Sequence, residues 1–195
     1  MSPVVHLMGS WLVGSVAAKI SRDRQLVALA GIIPDLDGFG MIVDVTRSII
    51  SDQPNTFQFY ARYHHVLCHG WPAAIVLCGL LTFFARERWR TFALCLLTFH
   101  LHLLCDFLGS RGPSPSDLWP ICYSEPVFRY PIWFWKNQWK LDGWQNQLVF
   151  LAIFIISLKR AISSSSSVVE IFSNRADHVF IKVLRGWHNR ILKRH

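Results

Sequence analysis

Residues 71–106 read WPAAIVLCGLLTFFARERWRTFALCLLTFHLHLLCD: an apolar run, a knot of charge and a second apolar run. Residues 71–85 and 91–105 are uncharged, 15 residues each, and Arg86, Arg88 and Arg90 separate them. This pattern predicts an antiparallel helical hairpin turning around Arg88. His69 lies 19 residues before that turn and Asp106 lies 18 after it. At a rise of 1.5 Å per residue both end roughly 27–29 Å from the turn, at the same height. His102, one helical turn before Asp106, shares its face of the helix. His64 lies just beyond the start of the hairpin's first helix. One end of the hairpin is therefore expected to gather His69, His102 and Asp106.

Two more uncharged runs flank the hairpin, residues 4–18 (15 residues) and 143–158 (16 residues). A membrane-crossing helix needs about 20 apolar residues, so all four runs are short. They are also too apolar for surface helices. The 195 residues are enough for one core, with 52% hydrophobic and only 16% charged residues. A soluble domain carries about 25% charged residues, and the mean hydropathy here is +0.29. Disorder and collagen-like architecture are excluded, and an ordinary cytosolic enzyme is disfavoured. The expected fold is all-α: a short, mostly membrane-embedded helical bundle whose helices share a polar interior. A buried soluble helical core is the alternative.

The net charge of +8 calls for an anionic partner. With 9 Trp and 14 Phe, membrane lipids are a better match than nucleic acid, because Trp favours the membrane–water interface. The basic residues cluster between the runs: Lys19, Arg22 and Arg24; Arg86, Arg88 and Arg90; Lys159 and Arg160. In an up-and-down bundle, with residues 25–33 as a return segment, all three clusters share one side. The positive-inside rule makes that side cytoplasmic in a multi-pass protein of the plasma or inner membrane. Residues 110–142, with Trp119, Tyr123, Tyr130, Trp133, Trp135 and Trp139, fall on the other side as an interfacial aromatic belt.

The five cysteines form no CxxC pair and read mainly as small buried hydrophobes. The N-terminal residues lack the basic start of a cleaved signal peptide. A domain over residues 1–160 is expected to be followed, over 161–195, by a serine linker at 163–167 and a basic amphipathic tail. In that tail Val179, Phe180, Val183, Leu184, Trp187 and Ile191 recur at helical spacing. Such a helix lies on an anionic membrane surface or packs on its own protein, and here it is expected on the cytoplasmic side. There are no internal repeats and no GxGxxG, P-loop or HExxH motif.

Titratable groups inside apolar segments are costly and usually functional. The same topology carries His6 and the pair Asp35 and Asp37 to the hairpin end that holds His64, His69, His102 and Asp106. Mixed nitrogen and oxygen ligands suit zinc, manganese or iron, and a shared carboxylate suits two ions about 3.5–4 Å apart. With no cysteine in the set, a hydrolytic metal site is the better reading than a thiolate structural site. His100 and His65 are read as neighbours of the site, and His178, His188 and His195 as solvated.

The set resembles the YdjM-like family of membrane-bound metal-dependent hydrolases. That family shows an early His, a PDxD segment, an H-x4-H motif often written HRGxTHS, and an HxxxD followed by a glycine turn and LWP. Here the matching residues are His6; Pro34, Asp35 and Asp37; His64 and His69; His102 and Asp106; and Leu118, Trp119 and Pro120. Order and approximate spacing agree over residues 4–120. The family is similar, more distantly, to the all-helical zinc-dependent phospholipase C and single-strand nuclease group. The chain departs where the family has Arg-Gly (here His65-Val66) and Thr-His-Ser (here Cys68-His69-Gly70). A supporting hydroxyl and an anion-binding Arg are thus replaced.

The resemblance and the spacing together give His6, Asp35, His64, His69, His102 and Asp106 as expected metal ligands, with Asp106 as the bridge. Zinc is the first choice of divalent metal, with manganese or iron as alternatives, as one or two ions. Asp35 or Asp37, where not a ligand, would be the general base. The expected reaction is water attack on an anionic phosphoester, a lipid headgroup or similar. Two rivals belong to other classes. A haem protein would need two imidazoles but not the carboxylates, and a non-catalytic membrane adaptor would act through its basic tail.

Overall fold

The computed structural model describes residues 1–51, 57–64, 66–128 and 130–192. Among them are eight helices: α1 (Pro3–Ala17), α2 (Ser21–Ala30), α3 (Gly40–Ser51), α4 (Gln58–Tyr63), α5 (Trp71–Phe83), α6 (Arg88–Gly109), α7 (Trp144–Ser164) and α8 (Asn174–Leu192). A 3-10 segment, Ile33–Phe39, joins α2 to α3, and a shorter one, Val168–Ile171, precedes α8. No strand occurs among the described residues; isolated bridges pair Arg111 with Lys140 and Ile121 with Trp133.

Pro3 occupies the start of α1, where its missing N–H costs nothing. The helix then carries small residues on the side that meets α2. A Cβ built on Gly14 would lie 3.2 Å from the Arg24 carbonyl oxygen, so the two backbones approach closely and run antiparallel. Pro34 opens the 3-10 segment, and the chain bends by 49° between α2 and the segment that continues into α3.

The hairpin expected from residues 71–106 is present as α5 and α6. Asp23, buried in α2, accepts the backbone N–H groups of Arg86 and Glu87, each at 2.9 Å, and so caps the start of α6. The main core lies between α2, α5 and α6 and is built from Val27, Ala30, Ala74, Cys78, Cys95, Phe99 and Leu103. Cys78 and Cys95 are buried there as expected, whereas Cys68, Cys105 and Cys122 are only half-buried.

Two apolar runs form longer helices than their uncharged lengths imply. The third becomes the 22-residue α6 and the fourth the 21-residue α7, because the flanking charged and serine residues continue the helix. Both are long and apolar enough to cross a membrane, and the bent pair α2–α3 would be a third span if taken as one. α1 and α5 stay short. Only 11% of the apolar window of α7 is buried by protein, leaving Leu148, Leu151, Ile155 and Ile156 outward.

The ends of the bundle differ. The Asp23 cap ties the first two basic clusters together, and Arg160 Nε donates to Ser15 Oγ at 3.2 Å, bringing the third beside them. At the other end Asn146 Nδ2 donates to the Gly109 carbonyl at 2.7 Å, joining the start of α7 to the close of α6. There the buried Gln138 uses its amide to satisfy the carbonyls of Asp106 and Phe107 at 3.0 and 3.1 Å. Of the expected aromatic belt, Tyr130 and Trp133 are exposed. Trp119 and Tyr123 pack inward instead, on His64 and against His100.

The serine run is part of the folded body: Ser163 and Ser164 close α7, and Ser166 and Ser167 are buried. Beyond it, the buried Glu170 accepts from Trp11 Nε1 (3.0 Å), Ser21 Oγ (2.9 Å) and both Arg24 Nε and Nη2 (2.9 and 2.7 Å). α8 packs through Ile181 against Trp11, Ala28 and Ala161, while Val179, Val183 and Trp187 stay exposed. His195, expected in the solvated tail, lies outside the described residues, as does His65.

Candidate metal centre

Four parts of the chain deliver the polar cluster. His6 comes from α1, Asp35 and Asp37 from the 3-10 segment, His64 and His69 from the stretch before α5, and His102 and Asp106 from α6. His6, His69, His102, Asp106 and Asp37 are all buried. His6 apart, the residues fall into two groups that share His69.

In the first group the Nε2 atoms of His69 and His102 stand 3.4 Å apart. Asp106 Oδ2 lies 3.0 Å from His102 Nε2 and 3.8 Å from His69 Nε2, and Asp35 Oδ1 lies 3.7 Å from His102 Nε2. One ligand atom from each of Asp35, His69, His102 and Asp106 falls within 4.8 Å of all the others, a spacing that could hold a metal ion. The opposite edge of each imidazole faces an acceptor. His102 Nδ1 is 2.8 Å from the Gly31 carbonyl oxygen, and His69 Nδ1 is 3.0 Å from Asp37 Oδ2. Each ring therefore carries a proton on Nδ1 and can direct an Nε2 lone pair inward, the arrangement that orients histidine ligands on metals. Two lone pairs and two carboxylate oxygens then converge, and a divalent cation fits that set.

Without a cation a proton takes that place. Burial disfavours charge on His69, but its hydrogen bonds with Asp106 and Asp37 and their negative charge outweigh this and hold it up to about 9.

The second group is Asp37, His64 and His69. Asp37 Oδ1 is 2.7 Å from His64 Nδ1, and Asp37 Oδ2 also accepts the Cys68 N–H at 3.0 Å. Both oxygens of Asp37 are thus engaged, while Asp35 Oδ2 has no hydrogen-bond partner. His6 Nε2 lies 3.3 Å from Asp106 Oδ1, which also accepts from Ser110 Oγ at 2.9 Å. His100 stands apart and pairs with Tyr123 Oη at 2.9 Å.

A cavity of about 500 Å³ opens onto the cluster, with Asp35, His64, Asp106, Ser110, Tyr60 and Trp119 on its walls. Tyr60 is fixed by Asp44, whose carboxylate accepts the Tyr60 N–H at 2.8 Å. Burial and the charges of Asp35, Asp37 and Asp106 push its phenol up to about 12, so it stays a proton donor. Gly31, Gln138 and Tyr60 have no motif that marks them. Asp44 does carry a signal, as the lone acidic residue of the apolar α3.

At the Thr-His-Ser departure, the glycine has a structural reason. A Cβ on Gly70 would lie 2.7 Å from the carbonyl oxygens of both Tyr123 and Glu125. Gly70 lets the 110–142 loop close over the start of α5, where Trp71 N–H donates to the Tyr123 carbonyl at 2.9 Å.

The fold and cluster define a helical membrane protein with a buried histidine–carboxylate site at one end of its bundle. The chain belongs to the YdjM inner membrane protein family, whose model matches residues 1–167. No curated protein and no solved structure matches it.

Proposed function

We propose that the chain is a membrane-bound metal-dependent hydrolase of phosphoesters, with zinc, or else manganese or iron, held by Asp35, His69, His102 and Asp106. The observation that carries this reading is the inward pair of Nε2 atoms, each ring anchored from behind by an acceptor. Bound there, the cation supplies a water of lowered pKa, toward about 7, and positive charge opposite the phosphoryl oxygens.

The remaining work belongs to the chain. Gly31 and Asp37 orient the two imidazoles. Ser110 and the Met1 ammonium steady the outer oxygen of Asp106. Asp35 faces the ligand set through Oδ1, and its other oxygen, Oδ2, unengaged beside the cavity, would take a proton from the attacking water. The water oxygen bonds to phosphorus as the ester P–O bond breaks, and the leaving alkoxide takes that proton back from Asp35. Tyr60 donates to a phosphoryl oxygen. Asp37, engaged on both oxygens, is a positioning residue.

We also place the basic end and α8 on the cytoplasmic side, on the positive-inside rule. Thiol labelling of Arg88→Cys and Ser124→Cys from outside the cell tests this, and a labelled position 88 would reverse it.

Metal analysis of the detergent-purified full chain, beside His102→Ala and Asp106→Asn, tests the main reading. One or two equivalents of transition metal, lost in both variants, together with metal-dependent hydrolysis of bis(p-nitrophenyl) phosphate, are expected. A wild type that stays metal-free after incubation with zinc, manganese and iron would overturn it.

A further inference from the structure

We propose that the substrate is a lipid phosphoester that enters the site sideways from the bilayer, across the apolar helix α3; this rests on the hydrolase reading above. The depth of the cluster is the first reason. Asp106 lies three residues from the end of α6 and His102 seven, so they sit roughly 5 and 10 Å below that end. α6 itself spans about 33 Å, close to the thickness of a bilayer's hydrocarbon core. The exposed Tyr130, Trp133 and Trp144 mark the interface at the same end. The cluster thus lies inside the edge of the hydrocarbon core, below the headgroup layer, a depth that a lipid reaches from the side.

The second reason is the mouth of the cavity. Its rim is formed by Phe39, Met41, Ile42 and Leu141, with Phe39 and Ile42 59% and 57% exposed. No lysine or arginine occurs among the described residues that line it, although the chain carries a net charge of +8. The Met1 ammonium on the cavity wall is already paired with Asp106 and Ser110, so a free phosphate ester drawn from water would meet no unpaired cation among these residues. An amphiphile would instead lay its chains on the rim and present only its phosphoester to the cluster.

The third reason is α3. Within this helix only Asp44 is buried, and it is spent on capping α4. Met41, Ile42, Val43, Val45, Ile49 and Ile50 are all exposed. These residues make one broad apolar face opposite Asp44, Arg47, Ser48 and Ser51; such an exposed face requires an apolar surrounding, and it runs directly from the cavity mouth.

The test uses the full chain in nanodiscs containing a phosphatidylglycerol with a diazirine in one acyl chain. Cross-linked lipid is mapped by mass spectrometry in the wild type and in metal-binding-deficient His102→Ala. Enrichment on residues 39–45 over the outer face of α7 is expected in both proteins. Equal labelling of α3 and of the outer face of α7, or cross-linking of α3 to a second copy of the chain, would overturn the proposal. In parallel, Ile42→Glu is expected to lower the ratio of vesicle-phospholipid turnover to bis(p-nitrophenyl) phosphate turnover at least tenfold. An unchanged ratio would overturn it. Enrichment on α3 without turnover of either substrate would sink the hydrolase reading while supporting the lipid entrance.

Discussion

His69 and His102 face each other through their Nε2 atoms at 3.4 Å, while their Nδ1 atoms are turned outward to Asp37 and Gly31. A direct hydrogen bond across the gap would need one ring to give up its outer partner or to carry two protons. Asp37→Ala removes the acceptor behind His69 Nδ1, so the ring is no longer held in the tautomer that turns Nε2 inward. Metal affinity is expected to fall about 10–100-fold, the usual cost of losing an outer partner of a ligating histidine. Equilibrium titration with zinc against a chelator of known affinity measures it. An affinity within twofold of wild type would mean that Asp37 does not orient His69.

Much of this arrangement could be read from spacing. The turn falls at residues 84–87, just before the expected Arg88, and His69 and Asp106 still end level, with His69 Nε2 3.8 Å from Asp106 Oδ2. Helix lengths were less legible, because an uncharged run ends at its first charge while a helix does not. α6 continues through Arg90, Trp89 and Arg88, where Asp23 holds the preceding N–H groups. The division of labour between Asp35 and Asp37 was not readable either. Two residues apart in sequence, they point to different sides, and only the backbone of the 3-10 segment sets which one meets His64 and His69. Gly31 contributes a carbonyl, which every residue has, so nothing in its identity signals the contact.

Gly31 is nevertheless constrained. A Cβ there would fall 1.7 Å from Ser10 Oγ and 2.5 Å from Ser10 Cβ. Gly31→Ala forces α1 and α2 apart and moves the carbonyl that holds His102. The expected cost is about 1–3 kcal/mol, as for other overpacked sites, with weakened metal binding. The double variant Gly31→Ala with Ser10→Gly removes both clashes and should recover most of the metal affinity. Thermal unfolding in detergent and metal titration of the three proteins test this, and a double variant no better than Gly31→Ala would refute the steric account.

Glu170 is the anchor of the C-terminal segment. Removing it strands Arg24 and leaves Trp11 Nε1 without its acceptor in a buried site. Breaking a buried ion pair from one side costs about 3–5 kcal/mol. The Arg24 side chain retains 16% of its exposure, which places the expected cost at the lower end. Glu170→Ala should raise hydrogen exchange and protease cutting across α8 while metal content stays at the wild-type level, because the docking lies at the basic end. Loss of metal in this variant would show the two ends to be coupled.

The metal-free protein should respond to pH through His69. Its imidazole titrates near 9 in the fold, against an ordinary value of 6.5. A group raised on folding stabilises fully below its unfolded value and loses that contribution as pH rises through the folded one. The melting temperature of the metal-free chain is therefore expected to fall between about pH 6.5 and 9. A cation must displace the same proton, so apparent metal affinity should rise about tenfold per pH unit across that window and level off above it. Metal-loaded protein, with no proton left to lose at His69, should show little of the change in melting temperature. Calorimetric scans of both forms at matched ionic strength decide the matter. A metal-free form whose melting temperature holds steady or climbs toward pH 9 would show that His69 is neutral without metal, and that the carboxylates around it are balanced in some other way.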